Sequence, residues 1–122
     1  MSEFQNGSFV VTIWGDFFPG QLRDAIISGY SDPRFTANTP ILVDSSRSLA
    51  IPSGADVPGA SRIILGRRPV GHTGKFAIVT RSEPLRFGLA RMAALMMESL
   101  GATMAVFKDR DAALNFLRST GS

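Results

Sequence analysis

The sequence predicts a single α/β domain over residues 1–122, with a mostly parallel sheet covered by helices. The first observation behind this prediction is the last third of the chain, Gly74 to Ser119, where strand-like and helix-like segments alternate between marked boundaries. Such alternation is typical of βαβ units and of parallel sheets. The second observation is the length, because 122 residues suffice for one hydrophobic core but not for two.

The N-terminal segments predict a strand followed by a helix. Asn6-Gly7 is a hairpin turn signal, and the few residues before it leave room for only a very short earlier strand. Residues 8–18 are rich in β-branched and aromatic side chains, and the apolar run from Phe9 to Ile13 suits a strand covered on both faces. Pro19 then suits the first turn of a helix. The residues at helical spacing on its apolar face are Leu22, Ala25, Ile26 and Gly29.

The middle of the chain predicts a short strand and an irregular helix. Pro40 to Val43 is a buried strand, and Asp44 stands at its C-terminal end, where α/β folds place functional loops. We interpret Asp56 to Gly66 as a crossover helix with Pro58 in its first turn. A short strand is the competing interpretation, because Ile63 to Leu65 are compatible with either structure.

The third strand and its helix have the clearest boundaries. Lys75 to Thr80 predicts a strand, Ser82 is expected to be the helix N-cap, and Gly101 is expected to end the helix. Gly88 lies inside this helix at a cost of roughly 1 kcal/mol relative to Ala, and we expect it to permit close approach to the sheet. The predicted apolar face consists of Leu85, Leu89, Met92, Met96 and Leu100, with Ala93 and Met97 beside it.

The chain is predicted to close with one more strand and helix. Thr103 to Phe107 is the last strand, and Asp109 is positioned to cap the last helix. The side chains of this helix that are expected to face inward are Ala113, Leu114 and Leu117. The order of the predicted segments therefore remains strand, helix, strand, helix to the end.

Composition bears on the class of protein. The absence of cysteine excludes disulfides, thiolate metal sites and a Cys nucleophile. No apolar run approaches a membrane span and no secretion signal is present, so we expect a soluble cytoplasmic protein. The net charge is +3, and seven of the thirteen basic residues lie between Arg62 and Arg91. Part of this stretch is the basic run Arg67 to Lys75, and because that run lacks interleaved aromatic residues, we expect a solvated loop and no nucleic-acid partner.

Five segments carry a resemblance to a known family. They are Ser31–Phe35, Pro40–Asp44, Lys75–Thr80, Phe87–Met92 and Ala105–Leu117, with the sequences SDPRF, PILVD, KFAIVT, FGLARM and AVFKDRDAALNFL. With these segments the chain resembles the small bacterial STAS-like proteins, which are related in fold to the anti-sigma-factor antagonists. It is most similar to the branch grouped with CRAL-TRIO-type lipid-transfer domains. The resemblance implies a sheet of four to five strands, helices packed mainly on one side, and a regulatory or binding module.

The same resemblance implies a phosphoacceptor. In anti-sigma-factor antagonists a serine at the start of the second helix is phosphorylated by a partner kinase, and Ser53 is the nearest match by position. In that family the serine belongs to a D-S-[ST]-G-like motif. Asp44-Ser45-Ser46 is similar to this motif in sequence but stands earlier, at the strand end. A phosphate at a helix N-terminus is stabilised by unpaired N–H groups and by the helix dipole.

Other candidate site residues follow from the side chains themselves. His72 is the only histidine and is expected to be an exposed loop residue, so no metal site is predicted. Asp44 is expected to bond turn N–H groups, with a catalytic role as the alternative. If the fold binds an anion, Ser82 and Arg86 at the start of the third helix are the expected place, with Arg91 farther along the same helix.

Apolar surfaces provide a further set of candidates. Met92 and Met96 either belong to the core or form a soft surface for a partner helix or an acyl chain. A second apolar lining, again with core packing as the alternative, would consist of Trp14, Phe17, Phe18 and Tyr30.

From these observations we expect a non-enzymatic regulatory or binding module without a cofactor. Its partner would be a protein or a small apolar ligand, engaged through the loop from Asp44 to Asp56, including Ser45, and through the neighbouring helices. One alternative is a small lipid carrier, for which a homodimer would be needed to enclose a long chain. The other is a small hydrolase or transferase that uses Ser53 or Asp44.

Overall fold

Strands and helices alternate along the chain after an N-terminal hairpin. The structure is a computed structural model that describes residues 2–15, 19–48 and 56–119. Its strands are β1 Ser2–Gln5, β2 Ser8–Gly15, β3 Ile41–Ser48, β4 Phe76–Val79 and β5 Met104–Phe107. Its helices are α1 Pro19–Tyr30, α2 Asp56–Gly66, α3 Pro84–Ser99 and α4 Arg110–Arg118. The prediction of an α/β chain is confirmed.

The two-residue turn at Asn6-Gly7 builds the hairpin that the sequence predicts. Both residues have positive φ, 51° at Asn6 and 84° at Gly7. Asn and Gly tolerate this conformation, and it matches the twist of the two flanking strands. The strands β1 and β2 are antiparallel, with Gln5 opposite Ser8, and β1 is as short as expected.

The five strands form one sheet in the order β1-β2-β3-β4-β5. Only the β1–β2 pair is antiparallel, whereas β2, β3, β4 and β5 run parallel to their neighbours. The register aligns Val10 with Leu42, Leu42 with Ala77, and Ala77 with Ala105 across the sheet. The sheet is therefore mixed and mostly parallel, as predicted.

Helices cover both faces of the sheet, and three of the four lie on one face. On that face a core cluster joins β-strand residues such as Phe9 and Val43 to Ile26 of α1, Ile64 of α2 and Met97 of α3. The opposite face carries a smaller cluster of Val10, Leu42, Ala77, Val79, Ala113 and Leu117, so among the described helices it is α4 that covers this face. Helices thus pack mainly, but not wholly, on one side.

Strand β3 is longer than the sequence predicts, and this changes the position of Asp44. The strand continues to Ser48 because, after a shift of register between Thr12 and Trp14, Arg47 and Ser48 pair with Trp14 and Gly15 of β2. Asp44 therefore lies within the strand, opposite Val79, and not at its C-terminal end. The helical interpretation of Asp56–Gly66 is confirmed, and the competing strand is wrong.

Helix α3 differs from the prediction in its cap and its rotation. Glu83, not Ser82, occupies the N-cap position, and no side-chain capping bond is formed there. The buried residues are Ala90, Ala94 and Met97, whereas Leu85 and Leu100 of the predicted face are exposed. Two neighbouring faces of this helix are apolar, and the face that packs against the sheet is the one that carries Ala90 and Ala94.

The predicted role of Gly88 is also wrong, since a Cβ added there would meet no atom within 4 Å. Close approach occurs instead at Gly29 of α1, where an added Cβ would stand 2.5 Å from ring atoms of Phe9. The absence of a side chain at Gly29 thus lets α1 lie directly against β2.

His72 is buried, which corrects the expectation of an exposed loop histidine. Its side chain is only 3% exposed, and Nε2 lies 2.8 Å from the carbonyl oxygen of Thr39, to which it donates. The rings of Phe35 and Phe76 stand 5.0 and 6.2 Å from the imidazole. Burial lowers the pKa of His72, and the positive charge of Arg68 adds to this, although the bond to Thr39 opposes it.

Candidate functional site

A pocket of about 150 Å³ lies between the sheet and helices α1, α2 and α3. Its walls are almost entirely apolar. From the sheet they include Ile13, Val43, Phe76, Ile78 and Met104, and from the helices they include Leu22, Ile26, Val57, Ala60, Ile64, Leu89, Ala90, Ala93 and Met97. A protein cavity of about this volume, lined by aliphatic and aromatic side chains, is large enough to hold benzene.

The pocket exists because short side chains face each other across the core. Alternation along the strands directs Ile13 and Val43 toward the same face of the sheet. Opposite them, Ala60 of α2 and Ala90 and Ala93 of α3 present only methyl groups. With only methyl groups at these positions, the described side chains leave the space between helix and sheet unfilled.

Polar groups lie at the end of the pocket where β3 and β4 finish. Ser45 and Ser48 come from β3, and Thr80 directly follows β4. The Ser45 hydroxyl donates to the carbonyl oxygen of Val79 at 2.9 Å, while Ser48 and Thr80 are buried. This is the edge at which open α/β sheets bind ligands, outside the carboxyl ends of their strands.

Arg86 brings a nearly buried positive charge to the pocket. Its side chain, from the first turn of α3, is 10% exposed, and its Nε donates to Glu83 Oε2 at 3.3 Å. Glu83 is 53% exposed and also accepts from Arg81 Nη1 at 3.3 Å, so its charge is shared between two guanidinium groups. The other charged lining residues are Arg23 and Asp56. Among the described residues, the lining therefore carries two cations and one carboxylate.

Asp44 and Ser45, neighbours in the predicted site, point to opposite faces of the sheet. Ser45 faces the pocket, whereas Asp44 faces α4, where Arg110 Nη1 donates to its Oδ2 at 3.0 Å. The backbone N–H and the hydroxyl of Ser46 donate to Asp44 Oδ1 at 3.1 and 2.6 Å. The expected bond from Asp44 to a nearby backbone N–H is thus present, and Arg110 is an unexpected second partner.

These contacts decide the ionisation of Asp44. Burial alone would raise the pKa of this carboxyl, but the hydrogen bonds from Ser46 and the Arg110 guanidinium outweigh it and hold the pKa below its usual value. Arg110 is 66 residues away in the sequence and also donates through Nη2 to Gln5. No local sequence pattern predicts the contact between Asp44 and Arg110, because only the fold brings these two residues together.

The remaining predicted site residues do not gather in one place. Ser82 and Arg91 are exposed, and neither lines the pocket. Met92 and Met96 are half-buried and also lie outside the lining, whereas Met97 belongs to it. Of the predicted residues, Ser45 and Arg86 are brought together at the pocket.

Ser53, Phe17 and Phe18 lie outside the described residues, so phosphorylation of Ser53 stays a prediction. Of the other aromatic candidates, Trp14 is 52% exposed and Tyr30 donates to the carbonyl oxygen of Ile64 at 2.9 Å. Neither lines the pocket.

Two further findings concern the described residues as a whole. Among residues 2–15, 19–48 and 56–119, no three or more His, Cys, Asp or Glu side chains are grouped so that they could hold a metal ion. In the same ranges, every helix is too short or too polar to cross a membrane.

In comparisons with known proteins, no protein-family model, curated protein or solved structure matches the chain. We therefore infer the function from the residues and geometry of the pocket.

Proposed function

We propose that this protein is a non-enzymatic binding module of the STAS-like type that holds a small apolar ligand in the pocket between its sheet and helices. The observation that carries the proposal is the pocket itself, about 150 Å³ with apolar walls. The STAS-like assignment is supported by the five-stranded, mostly parallel sheet with three helices on one face, which agrees with what the resemblance implies.

The size of the pocket favours a compact ligand over a long acyl chain. A benzene-sized group fills such a volume. Its binding would be driven by burial of apolar surface, which contributes roughly 25 cal/mol of free energy per Å² removed from water. A long acyl chain would exceed the space between the described residues. The pocket therefore favours a binding module for small molecules over the alternative of a lipid carrier.

The contacts of Asp44 support a non-enzymatic role. Its carboxylate is held by Arg110 and Ser46 and faces α4, away from the pocket. Ser45, which does line the pocket, donates its hydroxyl to a main-chain carbonyl, and no basic partner activates it in the described contacts. The hydrolase or transferase alternative thus has no support from the contacts of Asp44 or Ser45, whereas Ser53, its other candidate residue, lies outside the described residues.

Titration with toluene, followed by amide chemical shifts, tests the proposal. We expect saturable shifts at residues around the pocket, such as Ile64 and Ala93. Ala90→Leu should fill the pocket and abolish these shifts. Ala112→Leu is the matched control, because it makes the same change on α4 at the other face of the sheet and should leave binding intact. Absence of saturable binding to the wild-type protein would refute the proposal.

A second candidate function is protein binding through the outer side of α3. Leu85 and Leu95 of α3, together with Leu100 directly after it, are large apolar side chains that are 59%, 60% and 41% exposed. A second copy of the chain would cover them in a homodimer. Sedimentation of the wild-type protein and of Leu95→Lys tests this candidate, and a concentration-independent monomer for both would argue against self-association.

A further inference from the structure

We infer that the ligand is a small neutral molecule with one hydroxyl group, such as a phenol, which binds between Thr80 and Ser45. Its apolar body, about the size of a benzene ring, fills the pocket. This ligand class rests on the proposed function and adds the polar group that the pocket recognises. It follows from the buried hydroxyl of Thr80, from the position of Ser45 beside it, and from the pairing of the charges at the pocket.

The hydroxyl of Thr80 is buried without a hydrogen-bond partner among the described residues. Thr80 lines the pocket and is 4% exposed, and its backbone N–H donates to the carbonyl oxygen of Phe107 at 2.9 Å. Its side chain makes no hydrogen bond with residues 2–15, 19–48 or 56–119. Removal of a hydroxyl from water costs free energy unless a new bond forms, so buried polar side chains are nearly always paired. A polar atom of a ligand in the pocket would supply that bond.

The alternation along β4 directs the side chain of Thr80 toward the pocket. Phe76 and Ile78 line the pocket, whereas Ala77 belongs to the cluster on the opposite face of the sheet. Thr80 continues this alternation and lies on the pocket side again. Because a strand rises about 3.3 Å per residue, Thr80 lies roughly 6.6 Å beyond Ile78. A ligand that bonds to Thr80 therefore has its other end along the apolar wall.

Ser45 places a second hydroxyl beside Thr80. The parallel register aligns Asp44 of β3 with Val79 of β4. The next residues on the two strands, Ser45 and Thr80, therefore lie side by side, and both line the pocket. Because the Ser45 hydroxyl donates its proton to the carbonyl oxygen of Val79, its oxygen can only accept a further bond. A ligand hydroxyl matches both side chains, since it can donate to Ser45 while it accepts from Thr80.

The charges at the pocket favour a neutral ligand. The Nε of Arg86 donates to the Glu83 carboxylate at 3.3 Å. The Nε of Arg23 lies 3.2 Å from Oδ1 of Asp24. Both lining cations thus have a carboxylate next to them. A charged ligand would lose its hydration among apolar walls, which costs far more free energy than the burial of a hydroxyl that forms hydrogen bonds.

Calorimetric titration with phenol and with toluene, which has a methyl group in place of the hydroxyl, tests the ligand class. Thr80→Val replaces the threonine hydroxyl by a methyl group, and we expect it to weaken phenol binding at least about fivefold while toluene binding persists. Thr103→Val is the matched control, because it makes the same change at an exposed residue outside the lining and should leave both affinities unchanged. Benzoate should bind to the wild-type protein more weakly than phenol.

Urea denaturation without any ligand tests the premise that the Thr80 hydroxyl is unpaired within the protein. Thr80→Val should be at least as stable as the wild type, because the substitution removes a buried polar group that has no partner to lose. A clear decrease in the urea midpoint would show that the hydroxyl is bonded inside the fold, and the ligand class would be wrong.

The binding results separate this ligand class from the proposed function. If toluene binds, but Thr80→Val binds phenol as tightly as the wild type or benzoate binds more tightly than phenol, the ligand class is wrong and the proposed function stands. If neither toluene nor phenol binds, both are wrong. Should Thr80→Val fail to fold, Thr80→Ser and Thr80→Ala make the same comparison. Both lose the methyl group, but only Thr80→Ala should weaken phenol relative to toluene, and equal effects would overturn the ligand class.

Discussion

Arg110 donates from Nη1 to Oδ2 of Asp44 at 3.0 Å and thereby joins α4 to the centre of the sheet. The carboxylate side chain is 11% exposed and the arginine side chain 35% exposed, so the pair is only partly open to water. Ser46 satisfies the other carboxylate oxygen. The pair therefore stabilises the position of α4, the one described helix on its face of the sheet.

Removal of the arginine should destabilise the fold. Arg110→Met leaves the buried Asp44 carboxylate with Ser46 as its remaining partner, and we expect a loss of about 1–3 kcal/mol in the free energy of unfolding. The figure is below that for fully buried pairs because Arg110 is partly exposed. Arg34→Met breaks the surface pair with Asp32 and should cost less than about 1 kcal/mol. Equal losses in urea denaturation would contradict the structural role of the Asp44–Arg110 pair.

Stability should decrease in mild acid because of His72. The folded protein keeps the ring neutral, since burial lowers its pKa from the usual 6.5, whereas the unfolded chain takes up a proton near 6.5. Below that pH the unfolded state binds more protons, so the free energy of unfolding falls by at most about 1.4 kcal/mol per pH unit until the folded state is also protonated. Above pH 6.5 this contribution is fully present.

Urea denaturation between pH 5 and 8 measures this effect, with His72→Phe as the comparison. The variant loses the hydrogen bond to Thr39 at every pH, so its stability at pH 8 should be lower than that of the wild type. Its dependence on pH below about 6.5 should be flatter, because the group that titrates is gone. An unchanged slope would show that His72 does not cause the acid sensitivity.

Segments with local signals were predictable from the sequence. The Asn6-Gly7 turn, the bounds of α2 and the Asp109 cap depend on residues a few positions apart, and each is observed. The burial of His72 was not predictable, because it depends on Thr39 and Phe35, more than thirty residues away. Local chemistry thus fixed the elements, while long-range packing fixed the environment of individual side chains.

The candidate site was predictable only in part, for a related reason. Arg86 was predictable as a site residue because a basic residue near a helix N-terminus is a recognisable sequence pattern. The pocket was not predictable, because it results from the small side chains of Ala60, Ala90 and Ala93. The volume that they leave unfilled appears only when three helices pack on the sheet. The rotation of α3 about its axis was likewise not predictable, because two neighbouring faces of the helix are apolar and hydrophobic periodicity does not distinguish between them.

Two candidate helix caps should differ in their effect on stability. The carboxylate of Asp109 accepts from the backbone N–H groups of Asp111 and Ala112, both at 3.3 Å, so Asp109→Ala should cost about 1 kcal/mol. Ser82 lies outside the N-cap position of α3 and is exposed, so Ser82→Ala should change stability by less than about 0.5 kcal/mol. Thermal denaturation of both variants checks this, and a larger loss for Ser82→Ala would contradict the observed start of α3.

Two helical glycines should respond oppositely to substitution by alanine. At Gly88 an added Cβ meets nothing within 4 Å, so Gly88→Ala should raise the free energy of unfolding by about 0.5–1 kcal/mol through the better helix propensity of alanine. At Gly29 the added Cβ would stand 2.5 Å from the ring of Phe9, which already packs against Phe4 at 5.0 Å between ring centroids. Because that ring has little room to move, Gly29→Ala should lower stability by about 1–3 kcal/mol despite the same gain in propensity.

Urea denaturation of the two single variants and of the double variant measures this contrast. The sites lie on different helices and share no contact in the described residues, so we expect the two effects to add within about 0.5 kcal/mol. If both substitutions stabilised the protein, α1 could not lie against Phe9 as observed. If both substitutions destabilised the protein, Gly88 would have to pack closely against another part of the chain, as predicted from its position inside the α3 sequence. Opposite signs would establish that close packing against the sheet occurs at α1 and not at the start of α3.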